Sequence, residues 1–298
     1  MTDIPAVATM NLVNDQERAH VAAGTAAVAA GVVVRDVTEL DELDAVYRLY
    51  DGIWRPFPDN PPVTTKLLRA LSKAGNYVSG AFDGPMLVGA GVGFFGAPAA
   101  HVLHSHVAGV SAAALGRQVG FALKLHQRAW AMARGISLVE WTFDPLVGRN
   151  AHFNITKLGA LPVEYLTNFY GGMDDGINGG GDSDRLLVRW ELAADAVGRA
   201  CAGTPLPGDA EAERARGAVV ALGRSAHDTP VLGSLEGETL LVAVPHDIGN
   251  LRSIDPGQAK EWRGAVREVL GAALADGARI TGFDRAGWYV LTNGRDSR

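Results

Sequence analysis

HVLHSHVAGVSAAALGRQVGFALKLHQRAWAMARGISLVEWTF, residues 101–143, sets the topology of this chain. Residues 101–110 read as a strand. Residues 116–134 then place Val119, Ala122, Leu123, His126, Ala129 and Trp130 at three- and four-residue intervals, which predicts a helix with one apolar face. Gly135 is a helix stop, and 138–143 supplies the next strand. A strand, a crossover helix and a strand imply a parallel pair. The fold class is therefore α/β, with a mixed sheet.

Upstream, 31–37 reads as a strand running into a helix that starts near Thr38, Glu39 and Asp41. Leu40, Leu43, Val46, Tyr47, Tyr50, Ile53 and Trp54 form its apolar face, and Pro56 and Pro58 end it. A second helix is expected over 64–73, then a hairpin of 77–82 and 86–95 joined at Asp83-Gly84. Downstream come a short helix over 149–158, strands at 163–170 and 185–192, and a glycine-rich loop at 171–184 between them. The C-terminal part predicts a strand at 239–244, a helix from Asp255-Pro256 to Leu274, and strands at 279–283 and 288–291. The expected organisation is a flexible segment at 1–30, a first domain at 31–193, a linker region at 194–236 and an αβ module at 237–298.

With 298 residues, 47% hydrophobic and 20% charged, the chain is of globular composition. A net charge of −6 argues against a general nucleic-acid binder and favours a small-molecule partner. Cys201 is the single cysteine, so neither a disulfide framework nor a thiolate metal site is expected. Asp3 precedes the first basic residue, Arg18, unlike a secretory leader, and the apolar stretches at 28–34 and 86–95 are too short to span a bilayer. A cytoplasmic protein with no membrane partner is the expectation.

The chemistry points to the loop over 110–124. Spaced glycines there run into a helix N-terminus, where unpaired backbone N–H groups and a partial positive charge suit a diphosphate. This strand, loop and helix resemble the GNAT acyltransferase superfamily, whose acyl-CoA loop reads Arg/Gln-x-x-Gly-x-Gly/Ala. The window here is Leu115-Gly116-Arg117-Gln118-Val119-Gly120. The last glycine is kept, Leu115 stands where Arg or Gln is usual, and Gln118 stands where the middle glycine is usual. Trp141-Thr142-Phe143-Asp144-Pro145-Leu146, the run from Arg149 to Ala160, Asn168-Phe169-Tyr170-Gly171-Gly172-Met173 and Glu261-Trp262-Arg263 extend the resemblance over about 32–291. That branch is similar to amino acid N-succinyltransferases.

The resemblance implies two neighbouring parallel strands, 101–110 and 138–143, that splay so that pantetheine lies between them. It also implies acetyl-CoA or succinyl-CoA as co-substrate, no metal, and direct transfer to a small-molecule amine, which an amino acid would supply; a homodimer is a further expectation. Cofactor contacts would come from Ala108, Val110, Gly116, Arg117, Gln118, Val119, Gly120, Phe121, Asn150 and Asn154. Arg117 would offer charge to a phosphate, and capping of the short helix competes for Asn150.

His104 and His106 are two apart on one strand face, and His106 is the candidate base, with hydrogen-bonded core histidines as the competing reading. Where the family often has a tyrosine that protonates the leaving thiolate, this chain has Ile155; Tyr170, or Tyr165, is the candidate substitute, with unassisted protonation by water as the alternative. Asp144 would bind the amine or orient a histidine, or equally cap a turn. Glu140 is a weaker candidate base. Arg185, with Arg55, would pair with an acceptor carboxylate, and His104 would line the acceptor side. Asp174, Asp175, Asp182 and Asp184 do not have calcium-loop spacing, and their loop reads as a lid. Two other readings remain: a GNAT-like protein that holds a ligand without turnover, and a cleft that acts on acyl-CoA without an amine.

Overall fold

The computed structural model describes residues 6–55, 61–172 and 181–294, with side chains from residue 14 onward. Two compact units emerge, Met1–Trp141 with Glu191–Gly198, and Thr142–Trp190 with Arg199–Arg298. These run differently from the expected partition.

The first unit opens with helix α1 (Ala6–Ala30), where a flexible segment was expected. Alanine is the best helix former and its small side chain allows close approach. Ala26, Ala27 and Ala30 accordingly pack with Val119, Ala122 and Leu123. Strand β1 (Val33–Asp36) leads to α2 (Leu40–Trp54), which buries Leu43, Val46 and Tyr50, as its periodicity predicts. Helix α3 (Thr65–Lys73) is capped by the Thr64 hydroxyl, which accepts from the Leu67 N–H. The hairpin of β2 (Tyr77–Asp83) and β3 (Met86–Phe95) turns at Gly84, whose φ of +56° is in the left-handed region. Strand β4 (Val102–Val110), helix α4 (Val119–Met132) and strand β5 (Leu138–Phe143) form the expected βαβ unit.

The sheet order is β1-β2-β3-β4-β5, antiparallel except for the parallel β4–β5 pair. One face carries α2 and α3, with Leu43, Val46, Tyr50 and Leu68 against Val78 and Val92. The other carries α1 and α4. Glycines in β3 bring α4 close: a Cβ at Gly89 would lie 3.0 Å from Val119 Cγ1 and 3.1 Å from Leu123 Cδ1.

The second unit contains α5 (Gly148–Ala151), followed by a π-helical turn over His152–Lys157 where a regular helix was expected, and the antiparallel pair β6 (Leu161–Leu166) and β7 (Arg185–Glu191). Strand β6 ends short of the expected residue 170 because Asn168 takes a φ of +46°. The stretch expected to be a linker holds α6 (Asp195–Cys201), α7 (Ala210–Ala215), β8 (Val219–Arg224) and β9 (Pro230–Leu232). Strand β8 is short and pairs in parallel with β10 (Thr239–Ala243), a pairing that local composition does not reveal. Helices α8 (Ile248–Ile254) and α9 (Pro256–Ala275) and strands β11 (Arg279–Asp284) and β12 (Trp288–Thr292) follow. Asp255 caps α9 by accepting from the Gln258 N–H, with Pro256 at the helix start. The second sheet runs β11-β12-β10-β8-β9, and Trp262, Val266 and Leu270 of α9 are buried. Among the described residues no helix is long and apolar enough to cross a membrane.

Candidate active site

Strands β4 and β5 pair only at Val102–Leu138, Leu103–Val139 and His104–Glu140, although β4 continues to Val110. The two strands therefore part beyond His104 and Glu140. On its other edge β4 pairs with β3 along its length, except that Val92 faces Val107 and the next residue, Gly93, faces Ser105. His106 is thus the extra residue of a β-bulge, which re-aims its side chain.

The bulge sorts the side chains of β4 between two faces. His104 and His106 lie with Phe94, at ring-centroid distances of 5.0 and 5.7 Å, and their own rings are 6.2 Å apart. Burial lowers the pKa of both imidazoles. The neighbouring His106 lowers that of His104 further, while a hydrogen bond to the Pro62 backbone opposes the shift at His106. Both shifts favour the neutral imidazole, the form that accepts a proton, although His106 itself is solvent-exposed. Glu140 is half-buried and acts to raise the pKa of His104.

On the opposite face, Ser105 and Val110 meet α4. The loop before α4 has Gly116 at φ +82° and Gln118 at φ +63°, ψ +20°. Gln118 stands where the resemblance expects glycine, and its backbone takes the left-handed conformation glycine favours. A Cβ on Gly120 would meet only Val110 Cγ2, at 3.7 Å, so neither packing nor φ demands a glycine there. Val119 is buried in the core, leaving its backbone as the part facing the helix start, while Phe121 is half-buried and Ala108 exposed. Arg117 is engaged elsewhere: it pairs with Asp83 at 2.8 Å and donates to the Ala30 and Gly31 carbonyls at 3.2 Å, closing the end of α1.

The sequence reading passed over Lys124. Its side chain is buried, with Nζ donating to Gln127 Oε1 at 2.7 Å and to Ser105 Oγ at 3.2 Å, and lying 3.6 Å from the Trp141 ring centroid. A lysine on the apolar face of a helix beside an i+3 glutamine was the available signal.

Asp144, Asn150, Asn154, Tyr170 and Arg185 belong to the second unit. Asp144 is buried and held by Arg263 at 2.7 and 2.8 Å and by Arg252 at 2.6 Å, and it accepts from the Leu146 N–H at 2.9 Å. Burial pushes its carboxyl upward, but the Arg263 hydrogen bonds and charge, the Arg252 charge and the Leu146 N–H outweigh that and hold it at about 2. It caps a turn and balances two arginines. Arg185 is buried and donates to the Asp184 carbonyl at 2.9 Å, with its guanidinium 5.3 Å from the Tyr170 ring. Tyr170 is exposed, with its hydroxyl 3.2 Å from Thr142 Oγ1. Tyr165 instead donates to Asp184 at 2.7 Å, and burial first, then that carboxylate, drives its pKa up. Asn150 and Arg55 are exposed, while Asn154 and Ile155 are buried within the π-helical turn. Asp182 and Asp184 are bound by Arg267, each at 2.7 Å. Asp174 and Asp175, with most of the expected lid, fall outside the described residues. Among the described residues no group of three or more His, Cys, Asp or Glu side chains is placed to hold a metal ion.

No protein-family model matches this chain, and no curated protein does. Among solved structures the chain is similar to Mycobacterium smegmatis RimJ in complex with CoA-disulfide, at 19% identity, covering 59% of this chain and 91% of that one with a TM-score of 0.45. It is also similar to an N-acetyltransferase from Staphylococcus aureus Mu50, at 16% identity over 54% of this chain and 98% of that one, TM-score 0.44. An acetyltransferase of the GNAT family from Streptococcus pneumoniae is similar at 12% identity over 53% and 98% of the two chains, TM-score 0.44.

Proposed function

We propose that this protein transfers an acetyl or succinyl group from acyl-CoA to the amino group of a small molecule, an amino acid being the acceptor class, by direct transfer in a ternary complex. The observation that carries this reading is the parting of β4 from β5 beyond His104 and Glu140, with the glycine-bearing start of α4 following the far end of β4. From Ser105 to Val110 the strand spans about 17 Å, on the order of an extended pantetheine arm. The backbone N–H groups of the first turn of α4 suit the diphosphate, and Gly116 and Gly120 leave room for its approach. With Arg117 paired to Asp83, the diphosphate site relies on backbone donors and the helix dipole.

Acyl-CoA supplies an activated carbonyl: a C–N bond forms to the amine, the C–S bond breaks, the thiolate takes a proton and the amine loses one. The protein's tasks are to align the two substrates and to accept the amine's proton. His106, displaced by the bulge, solvent-exposed and with a pKa lowered by partial desolvation, is the proposed acceptor, with His104 beside it on the acceptor side.

Calorimetry with CoA, acetyl-CoA and succinyl-CoA, followed by free-thiol release across a panel of amino acids and other amines, tests this reading. Binding with amine-dependent release is expected. Absence of binding by all three refutes the cleft, binding without release assigns it to ligand holding, and release without an amine assigns it to hydrolysis.

A further inference from the structure

Phe94 of β3 pairs directly with His104 of β4, so the two side chains share the sheet face that holds the proposed base. Helix α2 covers that face only in part. Its end packs on Val92 and Val107, and a Cβ on Gly109 would lie 2.7 Å from Ile53 Cδ1 and 2.8 Å from the Trp54 ring. There the helix stops, with Arg55 at a φ of +46°. Nearer the start of β4 the same face carries Phe94, His104 and His106, with the Pro62 backbone bonded to His106. Phe94 keeps 36% of its surface exposed, and His106 is exposed beside it.

We infer that Phe94 is a specificity residue for the acceptor, selecting an amine that carries an aromatic ring on a short carbon chain, the aromatic amino acids among them. The inference rests on the proposed transfer to an amine and adds which amines the acceptor side takes. An exposed ring next to the group that receives the amine's proton is a stacking partner for an acceptor ring, in the offset or edge-to-face contacts that aromatic pairs favour. The Phe94 and His106 rings lie 5.7 Å apart, so an acceptor ring laid on Phe94 brings an amine on a short linker to the imidazole. Glu140, in register with His104, adds a carboxylate to this face, and its sign suits an arriving ammonium. A small aliphatic acceptor meets the same charge but leaves the Phe94 ring in water.

The test is kcat/KM for thiol release with the acyl-CoA that supports it, using phenylalanine against alanine, each as both enantiomers, and 2-phenylethylamine against ethylamine. The wild-type protein is expected to favour the aromatic member of a pair by about tenfold. In Phe94→Leu that ratio is expected to collapse toward one, and in Phe94→Tyr, which keeps the ring, to persist. Equal use of aromatic and aliphatic acceptors by wild-type protein, or a preference that persists in Phe94→Leu, overturns the inference while leaving the transferase standing. A loss in Phe94→Leu shared equally by both members of a pair, with a shifted acid limb of the pH profile, makes Phe94 a brace for the imidazoles and also overturns it. Should Phe94→Leu not fold, cyclohexylalanine decides in wild-type protein: it is expected to be used less well than phenylalanine, and equal use overturns the inference. Acyl-CoA binding with no amine-dependent release from any acceptor overturns the transfer reading and this inference together.

Discussion

Asp144→Asn is expected to destabilise the protein strongly at neutral pH and much less in acid. Asparagine preserves the shape, and its Oδ1 can still accept from the Leu146 N–H, so the change isolates the charge shared with Arg263 and Arg252. The carboxyl is lowered from an ordinary 3.8 to about 2, and each tenfold change in acidity is worth ~1.4 kcal/mol, so the charged form contributes about 2 kcal/mol. Leaving two arginines facing a neutral amide adds to this, toward the 3–5 kcal/mol typical (roughly) of breaking a buried ion pair. A loss of about 2–4 kcal/mol at pH 7 is therefore expected. Because the folded pKa lies below the unfolded one, this stability is fully present above pH ~4 and is lost as pH falls through about 2. Urea unfolding of both proteins at pH 7, 5, 3.5 and 2.5 measures the difference. An Asn variant as stable as wild type at pH 7, or a gap that does not narrow between pH 5 and 2.5, would refute the reasoning.

Gly120→Asp places bulk and negative charge at the start of α4, where the native Cβ position is otherwise open, and should abolish CoA binding with little change in thermal stability; unchanged binding by the folded variant removes the diphosphate site. His106→Ala should lower kcat more than it raises KM, and the wild-type rate should fall in acid with an apparent pKa below 6.5 and stay flat from pH 7 to 8, because the burial-lowered imidazole must be neutral to act. Wild-type turnover by the alanine variant excludes that role. Gln118→Gly relieves a left-handed backbone at φ +63° and should raise stability by about 1 kcal/mol, read as an increase in Tm.

Several parts of the fold were legible because their signal is local. Helix α2 is bounded as the apolar spacing from Leu40 to Trp54 requires, and α9 starts where Asp255-Pro256 says it must. The loop before α4 was legible as a departure from a pattern, and the structure gives that departure a physical meaning, since Gln118 occupies a glycine-type backbone. The contacts that Arg117 makes were not legible, because its partners, Asp83 and the end of α1, are far away in sequence. Asp144 was read as a group that binds the amine or orients a histidine, or as a turn cap; the cap is there, and its two arginine partners lie more than a hundred residues downstream, where no local reading finds them.

Periodicity, capping residues and turn glycines are properties of neighbouring positions, so the amino-acid sequence alone determined the βαβ unit, the β2–β3 hairpin, the amphipathic helices and the place of the loop. Where the strands part, which residue the bulge at β4 displaces, and that a lysine is buried between Ser105 and Trp141 depend on pairing between segments separated by tens of residues. Those pairings are chosen by the burial and register of the whole sheet, which no local window of the chain encodes, and only the tertiary structure decided them.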